Sequence, residues 1–340
     1  MQIAKRSINI LIKVLPILSF TIPLLILYFL DPHSFERTWR GRAFYIFFLW
    51  VAFLEVILNW EKLQTKKMNK LWSIRTIAFI IALLLPTIYV VAANYYGLNA
   101  LVVNLSKKSN VPLADWMPLS MEYLILTVLF TLIILTPYGI DGLQDWGVSV
   151  LFLGIVGVIN ITNDLYPNGR FSPFQIIVPT TATLAASVLN LMGYQTLWIG
   201  TIDGMPTFRA WDSMGRYSNF FSIAWPCAGV ESLLLYTVTI LLFLNKTPIS
   251  WKHKIFYFIV GAAVTYFINI LRIVTIYVIS INKGDVGSFH NLYGQLFSIT
   301  WIISYPLIII GSRNLWSKIK HRKTSRSDVS GYSVNYKSEV

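Results

Sequence analysis

Residues 255–281 read IFYFIVGAAVTYFINILRIVTIYVISI, with Arg272 the single charged residue of the run. As a helix this stretch is long enough to cross the roughly 30 Å hydrocarbon core of a bilayer. Seven further strongly apolar runs flank it, at 14–30, 43–60, 77–96, 119–138, 146–162, 226–244 and 291–311. Only 13% of the 340 residues are charged, against about 25% in an ordinary soluble domain, while 15% are aromatic. Lipid is therefore the expected solvent. The expected fold class is all-α: a polytopic transmembrane bundle of about eight spans, forming a single integral membrane domain over 1–311.

A ninth apolar stretch, 174–192, carries Thr180, Thr181, Thr183, Ser187 and Asn190, a heavy polar load for a helix facing lipid. Parity decides its reading. Lys62, Lys66, Lys67, Lys70 and Arg75 form one basic group; Lys246, Lys252 and Lys254 form another. Both are expected in the cytoplasm under the positive-inside rule, so an even number of spans separates them. Four strong runs lie between, and 174–192 is expected to be an amphipathic or re-entrant helix of an outer segment, 163–225. Both termini are then cytoplasmic, and the basic, Ser-rich tail 312–340 is expected to be disordered. This topology puts 18 of the 28 Lys and Arg residues inside and 9 outside, with Arg272 in a span.

The net charge of +13 follows these short segments and no nucleic-acid-reading motif accompanies it, so nucleic acid is not an expected partner. The single cysteine permits no intrachain disulfide or cysteine metal site, and the histidines at 33, 253, 290 and 321 lack metal spacing. No metal or cofactor is expected.

An arginine inside a span costs several kcal/mol and normally faces the bundle interior. Thr265, Asn269 and Arg272 stand at i, i+4 and i+7, on one helix face. Cys227, in AWPCAGVESLLLYTV, is at the start of a span, where the helix dipole favours a thiolate. Glu231 is one turn on and needs a partner, for which Arg272 is the natural candidate. His290, in KGDVGSFHNLYGQLF, is at the start of the last span, with Gly294 at i+4 allowing close helix approach. Each taken alone has a bland reading: inert small residue, structural arginine, interfacial histidine. Together, three spans bring thiol, cation and imidazole toward one membrane side, the set that nucleophilic acyl transfer needs. Depth is the difficulty, because Lys283 lies eleven residues past Arg272, about 16 Å of helix. Either the loop 284–287 dips inward or the arginine reaches up.

The blocks PCAGVESLLLY, NILRIVTIY and GSFHNLYGQLF occur in this order, and over 174–311 the chain resembles the exosortase/archaeosortase family. The family pattern is a Cys with Gly two residues on, a helix with Asn-x-x-Arg, and a His before a last helix with Gly and Phe. The resemblance implies a membrane-embedded cysteine transpeptidase with Cys227 as nucleophile, Arg272 and His290 completing the catalytic set, and Gly229, Glu231, Asn269 and Gly294 supporting it. It implies as partners exported proteins that end in a short motif, a transmembrane helix and a basic cluster, and as acceptor a lipid. Ala228 departs from the Ser or Thr that many relatives have there, which points to a divergent, archaeal, thaumarchaeosortase-like branch. The outer aromatics Trp198, Phe208, Trp211, Tyr217, Phe220 and Phe221 offer an interfacial platform for the motif. Two other classes are open to the same residues: a transporter using Arg272 as an anion site, and an acyltransferase using His290 without Cys227.

Overall fold

The computed structural model describes residues 2–37, 40–60, 63, 73–167, 172–290, 297–313 and 315–316. Ten helices carry the architecture: α1 (Gln2–Leu30), α2 (Ala43–Leu58), α3 (Ile74–Tyr95), α4 (Leu98–Lys108), α5 (Met117–Tyr138), α6 (Gly147–Leu165), α7 (Val178–Leu191), α8 (Val230–Lys246), α9 (Trp251–Ile281) and α10 (Phe297–Arg313). The protein is a polytopic helical membrane protein. Six helical stretches are long and apolar enough to cross a bilayer, and three shorter apolar helices, Ala43–Ile57, Val230–Asn245 and Phe297–Arg313, accompany them. Seven of the expected spans coincide with apolar helices, and the eighth, 291–311, does so over its described part, from Phe297. The stretch Pro173–Leu191, expected not to cross, is also among the six by length and composition. The basic residues Lys62, Lys66, Lys67, Lys70 and Arg170, and the tail beyond 316, lie outside the described residues.

Two cores divide the molecule. The larger joins α1, α2, α3, α5, α6, α8 and α10 through Phe20, Phe48, Phe79, Phe130, Phe152, Tyr236 and Ile302. Polar pins hold its two ends. At one, Arg42 at the start of α2 donates from Nε and Nη2 to the two oxygens of buried Glu122 on α5, at 2.9 and 3.0 Å. At the other, the Glu55 carboxylate accepts from the Val148 and Ser149 amides, both at 3.0 Å, satisfying free N–H groups in the first turn of α6. Gly261 admits the α8 and α10 tyrosines against α9: Tyr236 and Tyr305 hydroxyls donate to the carbonyls of Phe258 and Tyr257, at 2.8 and 2.7 Å.

The smaller core contains an element absent from the all-α expectation. Residues 195–222 form an antiparallel sheet, β1 (Gln195–Ile202), β2 (Met205–Trp211) and β3 (Phe221–Ser222), in the order β1-β2-β3. The hairpin turns at Asp203 and Gly204, both with positive φ (49° and 77°), as a tight two-residue connection needs. The sheet packs on the last turns of α9. Tyr277 stacks on Phe208 at 4.3 Å, and its hydroxyl donates to the carbonyls of Phe208 and Phe221. Helix α7 lies along the same half of α9: Thr181 shares a 2.8 Å hydrogen bond with Tyr266, and Ala182, Ala185 and Leu189 share a core with Ile270, Ile273 and Tyr277.

Candidate active site

Cys227 sits in a 3-10 turn, Trp225–Ala228, ahead of α8. The amides of Cys227 and Ala228 both donate to the Ala224 carbonyl, at 3.0 and 3.1 Å. Gly229 then takes φ +93°, a left-handed conformation that glycine adopts without strain, and lets α8 begin at Val230. Pro226 therefore stands in the turn and not in the first turn of the helix. Buried Trp225 anchors the turn against Phe174, ring to ring at 5.0 Å.

The face Thr265–Asn269–Arg272 is buried, at 0, 0 and 5% exposure. Asn269 Nδ2 donates to the Cys227 carbonyl at 3.1 Å, and its Oδ1 has no hydrogen-bond partner. Thr265 Oγ1 accepts from Trp301 of α10 at 3.1 Å. Arg272 Nε is buried without a hydrogen-bond partner among the described residues, and the guanidinium is close enough to act electrostatically on both Cys227 and Glu231.

His290 Nε2 lies 3.6 Å from Cys227 Sγ. The geometry resolves the depth difficulty. Helix α9 continues for twelve residues beyond Asn269, about 18 Å at 1.5 Å per residue. Segment 282–290 then folds back along it and returns His290 to the level of Cys227. Asp285 caps this return: its carboxylate accepts from the Ser288 amide at 3.0 Å and the Ser288 hydroxyl at 2.5 Å. Those bonds hold the Asp285 carboxyl below its ordinary pKa.

One expected pairing fails. No ion pair within 4.0 Å joins Glu231 to Arg272. Glu231, 6% exposed, lines a small cavity against α6 with Asn160, Ile159, Phe152 and Leu234, within electrostatic reach of Arg272 but without direct contact. Gly294 lies outside the described residues. The expected aromatic platform is also divided, since Phe208 is fully buried in the sheet core whereas Trp198, Tyr217 and Phe220 are exposed. Thr181 was not read as part of the site; it reaches the Ala228 carbonyl at 3.5 Å as well as Tyr266. Nor was Asp285, although Asp three residues before Ser288 is a recognisable cap signal.

Among the described residues no group of three or more His, Cys, Asp and Glu side chains could hold a metal ion. The constellation is a thiol within hydrogen-bonding distance of an imidazole, with a buried cation within electrostatic reach. The family model for the transmembrane exosortase matches residues 38–305. No curated protein and no solved structure matches the chain. The matched range takes in the turn of Cys227, the polar face of α9 and the return that carries His290, and the chain belongs to the transmembrane exosortase family, membrane transpeptidases that act on exported proteins with C-terminal sorting signals.

Proposed function

We propose that Cys227 is the nucleophile of this transpeptidase, His290 its acid–base partner and Arg272 the cation that stabilises developing negative charge. The observation that carries the reading is the 3.6 Å approach of His290 Nε2 to Cys227 Sγ, brought together from the turn before α8 and the return that follows α9. Unprotonated Nε2 takes the thiol proton as sulfur attacks the carbonyl carbon of the scissile peptide bond. The tetrahedral oxyanion is stabilised by the nearby guanidinium, whose unpartnered Nε is free to donate. Collapse breaks the C–N bond, and His290 delivers the proton to the departing amine of the C-terminal fragment. A thioester on Cys227 is left. A nucleophilic group of the acceptor, a lipid in this reading, then attacks the thioester; His290 takes its proton and returns it to sulfur.

In this reading both termini are cytoplasmic, and the sheet, Cys227 and His290 lie toward the outer face. The substrate's own membrane helix packs laterally on the bundle and brings its scissile bond to that face. The unpaired Glu231 plays no part in proton transfer. The test is processing of an exported reporter that ends in a C-terminal signal from the same cell, followed by release of its C-terminal fragment. Cys227→Ser and His290→Ala should each abolish release with membrane levels unchanged, and the wild type should accumulate a hydroxylamine-sensitive adduct on Cys227. Normal processing by Cys227→Ser would overturn the reading.

A further inference from the structure

Strand β1, QTLWIGTI, forms one edge of the sheet and among the described residues pairs with β2 alone. Sheet edges in natural proteins are guarded by charge, proline, brevity or a bulge. β1 is eight residues long and contains neither a charged residue nor a proline; its one guard is the bulge between Trp198 and Gly200. Leu197, Trp198, Ile199 and Ile202 are 44–55% exposed. Successive side chains of a strand point to opposite faces, so Leu197 and Trp198 present apolar surface on opposite faces, and Ile199 adds more at the bulge that interrupts the pairing there.

Such a strand makes two demands at once. Its apolar side chains need cover from water, and the N–H and C=O groups along its outer edge need hydrogen-bond partners. Hydrocarbon meets the first demand and leaves the second unmet. Water does the reverse. An extended peptide laid along the edge meets both, as in β-strand addition.

The location suits a substrate. Ile202 pairs with Met205 at the hairpin end of the sheet, and at that end the Ile223 amide donates to the Pro206 carbonyl at 2.9 Å. From Ile223 the chain runs directly into the turn that holds Cys227. A strand added to β1 would lie three strand spacings from β3, roughly 14 Å. Four or five extended residues cover that distance.

We propose that the free edge of β1 is the docking rail for the extended stretch of the sorting signal, the part outside the signal's membrane helix. Backbone pairing to β1 supplies affinity, and the surfaces of Leu197, Ile199 and Trp198 select the side chains. This rests on the transpeptidase reading above and adds the surface that presents the peptide.

The experiment places the photoreactive residue p-benzoylphenylalanine at position 197 in a Cys227→Ala background, which leaves the substrate uncut. Membranes also carrying a tagged exported reporter with a C-terminal signal from the same cell are irradiated. A covalent product with the reporter, mapped to the stretch beside its membrane helix, is expected. A product with a second copy of this chain, with lipid, or with no partner would overturn the proposal. In parallel, Leu197→Lys combined with Ile199→Lys should lower reporter processing at least tenfold. Alkylation of Cys227 by a small methanethiosulfonate should keep its wild-type rate, which reports an intact site. Unchanged processing in that variant would also overturn the proposal. Processing by the wild type that depends on Cys227, without the cross-link, removes the docking rail and leaves the transpeptidase reading standing; processing indifferent to Cys227→Ser removes the latter.

Discussion

Asn269 Nδ2 donates to the carbonyl oxygen of Cys227 at 3.1 Å, so the polar face of α9 fixes the backbone of the turn that carries the thiol. Asn269→Ala leaves that carbonyl without its donor in a buried setting. The expected cost is about 1–3 kcal/mol of stability. A misplaced thiol should lower processing by about 10²-fold. Thermal unfolding in detergent together with single-turnover thioester formation measures both. Wild-type thioester formation in the variant would mean that Asn269 does not position Cys227.

Gly229 makes the same contact possible from the other side. A Cβ there would stand 2.9 Å from the Asn269 side chain, and φ is +93°. Gly229→Ala is expected to cost about 1–3 kcal/mol from backbone strain alone. It should also slow alkylation of Cys227, because the turn must shift. Alkylation at the wild-type rate with full stability would refute this account of the turn.

Glu231 faces Asn160 and the α6 cavity and has no ion pair with Arg272. Glu231→Gln preserves its shape and removes a buried carboxylate. Processing should fall by less than about tenfold, a barrier change under about 1.4 kcal/mol. His290→Ala should leave none. If Glu231→Gln is inactive and His290→Ala active, the acid–base role has been given to the wrong residue.

Asp285 controls the return that delivers His290. Its carboxyl is held below the ordinary value of 3.8 by two hydrogen bonds from Ser288. A group whose folded pKa is depressed contributes stability above its unfolded pKa, and that contribution is lost as pH falls through the folded value. Order in 285–290 should therefore persist at neutral pH and decline below about pH 4. Asp285→Ala should show the loosened return already at pH 7, read as faster amide exchange across 285–290 and slower thioester formation. Exchange identical to the wild type would exclude a capping role.

Arg42 and Glu122 pin α2 to α5 with side-chain exposures of 12 and 1%. Arg42→Ala strands a buried carboxylate and should destabilise the fold by about 3–5 kcal/mol. Arg42→Met combined with Glu122→Leu should recover most of that loss, since no buried charge is left alone. Equal unfolding temperatures for the single variant and the wild type would show that the pair contributes little.

The helices were legible because crossing a bilayer is a local requirement: each span needs only its own run of apolar residues. The candidate groups were legible for a related reason, since an Arg within a span is costly wherever its neighbours lie and the chain has a single Cys; the helix start expected at Cys227 is instead a 3-10 turn ahead of α8. The sheet was less so. Asp203-Gly204 between 195–202 and 205–211 is a hairpin signal, yet the flanking strands carry no strong alternation of apolar and polar residues.

By itself the sequence determined the helical membrane fold, singled out Cys227, Arg272 and His290 as candidates, and gave the common face of Thr265, Asn269 and Arg272. Only the tertiary structure decided the return of 282–290 that sets His290 beside Cys227, the seat of Asn269 against Gly229, and the place of Glu231 at the α6 cavity without a direct ion pair to Arg272. The physical reason is range. Hydropathy and helical periodicity act over a few neighbouring residues, whereas these three relationships depend on how side chains from distant segments share space, and spacing along one chain does not encode that.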